Sequence, residues 1–467
     1  MSTMVNAILK FGQVFFLIYL MIYASYLFLS VAVGANKLYK EDHRRSIKNE
    51  LKHDYYFPVS ILVPAYNEEV TIIESVESLL SLDYRLYEVI VVDDGSKDDT
   101  AKVLIDHFHM HKVSKPIRIA VPCKPILEVY EAPGTKKKLT LIRKVNGGKG
   151  DALNVGINAS QYPYFVCIDA DSMLQTDSLT RIIQPAMEDD DIVAVGGLIR
   201  VAQCVRFDGD KVSYHLSDNF LASMQVMEYD RSFLASRILL DGFNGNLIIS
   251  GAFGLFKKDV VIAAGGYANN TLGEDMELVA KLHVFCRNNN LRYSIRYEPN
   301  AICWSQAPAS LGDLMKQRRR WHLGLFQCMT RYGFMFGKLR YGLVGTVSYF
   351  YYLMYELYSP FIEVFGLFVT LLALFNGQLN IPFLIRFHLL FAIYGSILTI
   401  TAFFQRIYTQ NLKISRSDLY RAILMCFIEN IFFRFVLDYV RFNAFLGYGK
   451  NKNNWGSIKR FKHSEAK

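Results

Sequence analysis

The sequence predicts a mixed α/β domain combined with an α-helical transmembrane region, and three observations carry that expectation. Apolar residues concentrate before residue 35 and after residue 341. Between those limits, short β-branched runs alternate with a segment of helical spacing, as in a buried parallel sheet flanked by helices. Lys and Arg gather beside the apolar segments, at 37–52, 316–320, 338–340, 406–421 and 450–463. A net charge of +9 distributed in this way points to the inner face of a bilayer and argues against a nucleic-acid partner. The length of 467 residues is enough for a catalytic domain and a membrane region together.

The elements follow in order. The apolar run 11–34 can span a bilayer, which takes about 20 residues. It exceeds a signal-peptide core and lacks a small-residue cleavage site, so it is expected to be an anchor occupying 1–36. Lys37, Lys40, Arg44, Arg45 and Lys48 then put the following residues in the cytosol. The runs 58–64 (PVSILVP) and 88–94 (EVIVVDD) read as strands, with 71–80 as the helix between them, and 164–169 (YFVCID) reads as a further strand ending in acid. Residues 107–145, rich in Pro and carrying Lys136, Lys137 and Lys138, read as an insertion with hairpin character and no chemistry. The cytosolic domain is expected over 55–325, and interfacial and transmembrane helices over 326–449. Within the latter, 341–375 holds an interfacial helix and a span, 377–382 a turn, and 383–404 a returning span. The apolar stretch 419–446 carries Arg421, Glu429, Arg434, Asp438 and Arg441, so a re-entrant or interfacial hairpin is expected there, with the basic tail 450–467 in the cytosol. None of the seven Cys forms a C-x-x-C pair or a zinc spacing, so they read as reduced thiols.

Chemistry-bearing residues cluster where strands end. Pro64-Ala65-Tyr66-Asn67-Glu68-Glu69 follows the first strand; Tyr66 could stack on a base, with Glu68 beside it, or the acids simply match a helix dipole. Asp93 and Asp94 can accept from a base N–H or a ribose hydroxyl, although turn chemistry alone produces similar strings. Asn146-Gly147-Gly148-Lys149-Gly150-Asp151 sets Lys149 to meet a phosphate; the Ser or Thr of a Walker A loop is missing. Asp169 and Asp171, one residue apart at a strand end, can hold a hard divalent cation against diphosphate. Glu274 and Asp275 open a helix, where they can deprotonate an acceptor hydroxyl or cap the helix. Gly251 offers an acceptor chain close approach to the backbone, or tight packing. Gln317-Arg318-Arg319-Arg320-Trp321 puts guanidiniums suited to diphosphate beside an indole face suited to a sugar ring.

In this order the motifs resemble the processive family 2 glycosyltransferases, the cellulose, hyaluronan, chitin and poly-N-acetylglucosamine synthases, over residues 58–322. The single-chain layout and the tail residues Asn454, Trp455, Gly456, Lys459 and Arg460 look closest to the last type. The resemblance implies a GT-A catalytic domain, a Rossmann-like mixed sheet. It also implies inverting, Mg- or Mn-dependent transfer from a UDP-sugar, UDP-GlcNAc or UDP-glucose, to a growing glycan. By this likeness Tyr66, Glu68, Asp93, Asp94, Lys149, Asp169 and Arg320 bind the nucleotide sugar, Asp171 and Asp169 the metal, Gln317, Trp321 and Gly251 the acceptor, and Asp275 with Glu274 performs catalysis. Arg318 and Arg319 fill variable positions and are expected to hold the helix at the bilayer. The expected setting is multi-pass in the plasma membrane, with room for an accessory export subunit. Two alternatives stand beside this reading: transfer of one sugar to a lipid-linked acceptor, and a nucleotide-regulated membrane transporter.

Overall fold

The computed structural model describes residues 2–48, 56–208, 211–409, 412–446 and 448. The tail residues named above and the basic tail lie outside them. Twelve strands are described: β1 (Val59–Ala65), β2 (Tyr87–Asp93), β3 (His111–Lys112), β4 (Ile126–Glu131), β5 (Lys138–Lys144), β6 (Tyr164–Ile168), β7 (Ser172–Leu174), β8 (Ile192–Val201), β9 (Val205–Asp208), β10 (Lys211–Tyr214), β11 (Phe253–Lys257) and β12 (Ser294–Ser305). Ten form one sheet in the order β3-β4-β5-β2-β1-β6-β11-β8-β12-β7, and β9 and β10 pair separately.

The centre of the sheet is parallel, β5 with β2, β2 with β1 and β1 with β6. Alternation in β1 sends Ile61 and Val63 to one apolar layer and Leu62 to the other. Helix Ile72–Leu80 covers the first layer with Ile72, Val76 and Leu79, a helical stripe. Helix Lys149–Ala159 covers the second with Ala152, Leu153, Val155 and Ile157. Each fully buried side chain of this kind contributes about 1.5–3 kcal/mol relative to exposure. β11 enters antiparallel between β6 and β8, so the sheet is mixed. The expected hairpin in 107–145 is β4–β5, and β5 joins the main sheet beside β2. After β6 the chain turns through Asp169 and Asp171 and crosses to the far edge as β7, against β12.

Helices Thr3–Lys40 and Ile381–Tyr408 are long and apolar enough to cross a membrane. Val344–Leu357 with Ser359–Phe375, bent by 54°, is a third if it makes one span. Pro360 opens the second arm of that bend, where its missing N–H is tolerated. The first helix packs on Ser359–Phe375 through Phe11, Phe15 and Phe16 around Phe365, and leaves Phe11 and Leu17 exposed as a lipid-facing surface would be.

Two of the expected bounds fall inside helices, and one expectation needs correction. The helix that holds the anchor continues past 36 as Ser2–Lys48, since nothing between 35 and 48 breaks a helix. The boundary at 325 falls inside helix Leu311–Arg331, so domain and membrane region share an element. Residues 419–446 do not form a hairpin: Arg416–Ile428, a π-helical turn Glu429–Phe433 and Arg434–Asn443 follow one another without a turn. That run has no Gly or Pro, and its charges find partners. Glu429 meets Arg231 at 2.8 Å, and Arg434 meets Glu363 at 2.8 Å.

Candidate active site

A cavity of about 1400 Å³ opens at the C-terminal ends of β1, β2 and β6, where open α/β sheets bind ligands. Tyr66, Glu68, Asp94, Lys149, Asp169, Asp171, Gly251, Glu274, Asp275, Gln317, Arg320 and Trp321 all line it. The same cavity continues past Trp321 among Tyr355, Glu363, Arg434 and Asp438 of the membrane-region helices.

Lys149 organises the centre. It is the first residue of its helix, after Gly148 at φ 89° lets the loop turn. Its ammonium donates to the Asp169 carboxylate, lies 3.6 Å from Glu274 Oε1 and donates to the Gly251 carbonyl at 3.3 Å. Burial opposes its charge, yet Asp169 and Glu274 hold its pKa above the ordinary value. Asp275 Oδ2 accepts from the Gly251 N–H at 3.1 Å and Oδ1 from the Met276 N–H at 2.8 Å. A Cβ on Gly251 would stand 2.9 Å from the Lys149 ammonium, so this glycine backs the acidic cluster as well as lining the cavity.

Burial pushes the Glu274 carboxyl up to about 7 against the pull of Lys149, while Asp275 adds to the rise. The folded chain therefore holds a proton that the unfolded chain releases near 4.5, and stability falls as pH rises through the window between those values. Glu274→Gln removes that slope. Its thermal midpoint is expected to exceed the wild type's at about pH 8 and to converge on it at about pH 4. Melting curves at the two pH values check this; an unchanged difference between them would refute it.

Asp93 and Asp94 both have partners within the fold. Asp93 is outside the cavity lining: its Oδ1 accepts from the Ser96 N–H at 3.0 Å and Oδ2 lies 3.6 Å from Arg143, so it holds the turn after β2. Asp94 reaches the cavity wall, but its oxygens are taken. Fully buried Lys144 meets it at 2.5 Å and Asp151 at 2.7 Å, while the Gly147 and Gly148 N–H groups donate to Asp94 at 2.9 and 2.7 Å. It clamps the glycine loop that presents Lys149. Glu68 Oε2 accepts from Thr71 Oγ1 at 2.9 Å, which ties its turn to the following helix.

The Gln317–Trp321 segment rides on helix Leu311–Arg331, opened by Ser310 accepting from the Asp313 N–H. Gln317 is buried, and its Oε1 has no partner among the described residues. Arg320 faces Glu274 electrostatically. Arg318 is not at a headgroup: it is 3% exposed, pairs with Glu228 at 2.7 Å, and sets its guanidinium 4.4 Å over the Trp321 ring. That stack contributes about 0.5–2 kcal/mol and holds the indole, which lines the cavity. The spacing of three on one helix face was the available signal. Arg319 donates to the Leu446 carbonyl and is half-buried.

Gly273 and Gly324 join the two halves of the site. A Cβ on Gly324 would lie 2.8 Å from the Gly273 nitrogen, so the helix bearing Trp321 and the turn bearing Glu274 and Asp275 meet backbone to backbone.

Asp169 and Asp171 suit a cation that draws its other oxygens from elsewhere. Both line the cavity, and among the described residues no group of three or more His, Cys, Asp or Glu could hold a metal alone. Diphosphate oxygens would complete such a set.

A mixed sheet with two carboxylates after its central strand and a second acidic pair across the cleft defines a GT-A glycosyltransferase with membrane helices attached. The chain belongs to glycosyltransferase family 2: the model described as "Glycosyl transferase family group 2" matches residues 164–409, more than half the chain, and "Glycosyl transferase family 2" matches 60–121. It is similar to the poly-beta-1,6-N-acetyl-D-glucosamine synthase of Staphylococcus epidermidis, 30% identical over 62% of this chain and 59% of that one. The synthase of the same name from Staphylococcus aureus is 29% identical over 61% and 58%. The chain thus spans under two thirds of these relatives. In fold it matches a mannosyltransferase from Pyrobaculum calidifontis solved in complex with GDP-Man and Mn2+, at TM-score 0.52 and 17% identity, over 88% of this chain and 99% of that one.

Proposed function

We propose that this enzyme extends a polysaccharide processively from a UDP-sugar, inverting the anomeric centre, and passes the product into the membrane. The donor is UDP-GlcNAc, in line with the product named for its relatives. The observation that carries the reading is the single cavity running from the acidic cluster past Trp321 to the apolar helices. The catalytic domain faces the cytosol, a reading supported by Lys37, Lys40 and Arg44 after the first span, and the plasma membrane is crossed more than once, supported by two helices long and apolar enough to cross.

In the reaction Asp275 takes the proton from the acceptor hydroxyl. That oxygen bonds to the anomeric carbon while the carbon–oxygen bond to UDP breaks, and the electron pair leaves on the diphosphate. Lys149 and Arg320 face the diphosphate and balance its growing charge. Mg2+ or Mn2+ bound by Asp171 and Asp169 would supply further charge neutralisation there. Trp321, pinned by Arg318, stacks on the terminal sugar of the acceptor.

The test is to incubate purified protein in detergent or lipid with UDP-GlcNAc or UDP-glucose and Mg2+ or Mn2+, reading UDP release and product size. A ladder from UDP-GlcNAc is expected; a single-sugar product would overturn processivity, and no UDP release from either donor would overturn the whole reading. Trp321→Ala should shorten the ladder and cut UDP release by about tenfold, the effect of losing one ring-stacking contact of about 1–1.5 kcal/mol.

A further inference from the structure

The insertion between β2 and β5 is not a bystander. Its segment 120–124 is sewn onto helix Lys149–Ala159. Asn158 Oδ1 accepts from the Ala120 and Val121 N–H groups, both at 2.9 Å, and Asn158 Nδ2 donates back to the Val121 carbonyl at 2.8 Å. Asn154 Nδ2 donates to the Pro122 carbonyl at 3.2 Å, and Asp151 accepts from the Lys124 N–H at 3.1 Å. Val121 is buried in the apolar layer of that helix. The segment is thereby a fixed wall, and it ends on Lys124, which lines the cavity.

The Lys124 ammonium reaches the Asn146 carbonyl at 2.7 Å, two residues beyond β5, and Asn146 Nδ2 donates to the Asp94 carbonyl at 2.8 Å. Sheet order sets where that is along the cleft. From β6, which Asp169 and Asp171 follow, the sequence of neighbours is β1, β2, β5. Three strand spacings of about 4.8 Å make about 14 Å, the order of length of a nucleoside diphosphate. A donor with its diphosphate at Asp169 and Lys149 extends its base past Tyr66 toward Lys124.

We propose that Lys124 is a donor-recognition residue whose ammonium donates to a carbonyl oxygen of the base, so that the insertion favours uracil over adenine. This rests on the sugar-nucleotide reading above. An ammonium has donors only, so it pairs with the carbonyl oxygens of uracil; adenine presents no carbonyl oxygen there, only ring-nitrogen acceptors set in a larger bicyclic base.

The experiment is calorimetric titration of the full chain in detergent with UDP, ADP and inorganic pyrophosphate, for wild type, Lys124→Met and Lys124→Arg. Lys124→Met is expected to weaken UDP about tenfold, as loss of one charge-assisted hydrogen bond does. ADP and pyrophosphate should be unaffected, so the preference for UDP over ADP shrinks by the same factor. Lys124→Arg should recover most of the UDP affinity. Unchanged UDP affinity in Lys124→Met, or equal losses for UDP, ADP and pyrophosphate, would overturn the assignment while leaving the donor reading intact. A wild type that binds no UDP would overturn both.

Discussion

Asp275→Asn is expected to abolish transfer, lowering turnover by about 10²–10⁴-fold, the range for loss of a positioned general base, while UDP affinity stays within about twofold of the wild type. A sugar hydroxyl is a weak nucleophile, and bond formation must accompany proton removal. Asp275 suits that task because its two oxygens are oriented by the Gly251 and Met276 N–H groups at 3.1 and 2.8 Å. An amide keeps the shape and one acceptor oxygen but cannot take the proton. Since Asp275 is turned toward Gly251 and the direct partner of Asp169 is Lys149, the nucleotide end of the cleft keeps its own contacts. UDP release with acceptor present, measured alongside calorimetric UDP binding, separates the two effects. Turnover within tenfold of the wild type would remove Asp275 from the role of base.

Lys149→Met should be nearly as severe, with kcat/KM for the donor down by about 10²–10³-fold and UDP affinity falling with it. The ammonium stands between Asp169 and Glu274, with Asp275 acting on it electrostatically. Methionine keeps the length and removes the charge, so Asp169 and Asp275 are left to face an incoming diphosphate unbalanced, and Glu274, freed from the pull of Lys149, holds its proton to higher pH. Glu274→Gln in the Lys149→Met background is the control: it removes an acid that carries charge only at alkaline pH, and should recover part of the UDP affinity there. Steady-state kinetics and UDP titration of both variants check the pair. A Lys149→Met protein that binds UDP as tightly as the wild type would show that the cluster does not govern donor binding.

Legibility differed between parts of the chain for physical reasons. β1, β2 and β6 were readable because each is a short β-branched run closed by a polar strand end. The other half of the sheet was not. β8 is buried along its whole length, so it shows no alternation and reads equally well as a buried helix. The continuous helix over 416–443 was misread because its charges suggested a hairpin, whereas Arg231 and Glu363, far away in sequence, satisfy Glu429 and Arg434. In the site, Lys149, Asp169, Asp171, Glu274 and Asp275 line one cavity, each at a strand end or helix start where position follows from local pattern, and Gln317, Arg318, Arg320 and Trp321 line it from within helix Leu311–Arg331. The engagement of Asp94 by Lys144 stayed hidden, because nothing in a local window says that the residue closing β5 turns inward to join two acids. The service of Arg318 to Trp321 lay within reach of helical spacing, but its partner Glu228 did not.

The contact of Gly273 with Gly324 leaves no side chain between the turn carrying Asp275 and the helix carrying Trp321. With bare backbone on both sides, that junction can be neither lengthened nor compressed by a rotamer change. Under the proposed reaction, the separation between the proton acceptor and the stacking face is then held by bare backbone, a dimension set by two missing methyl groups.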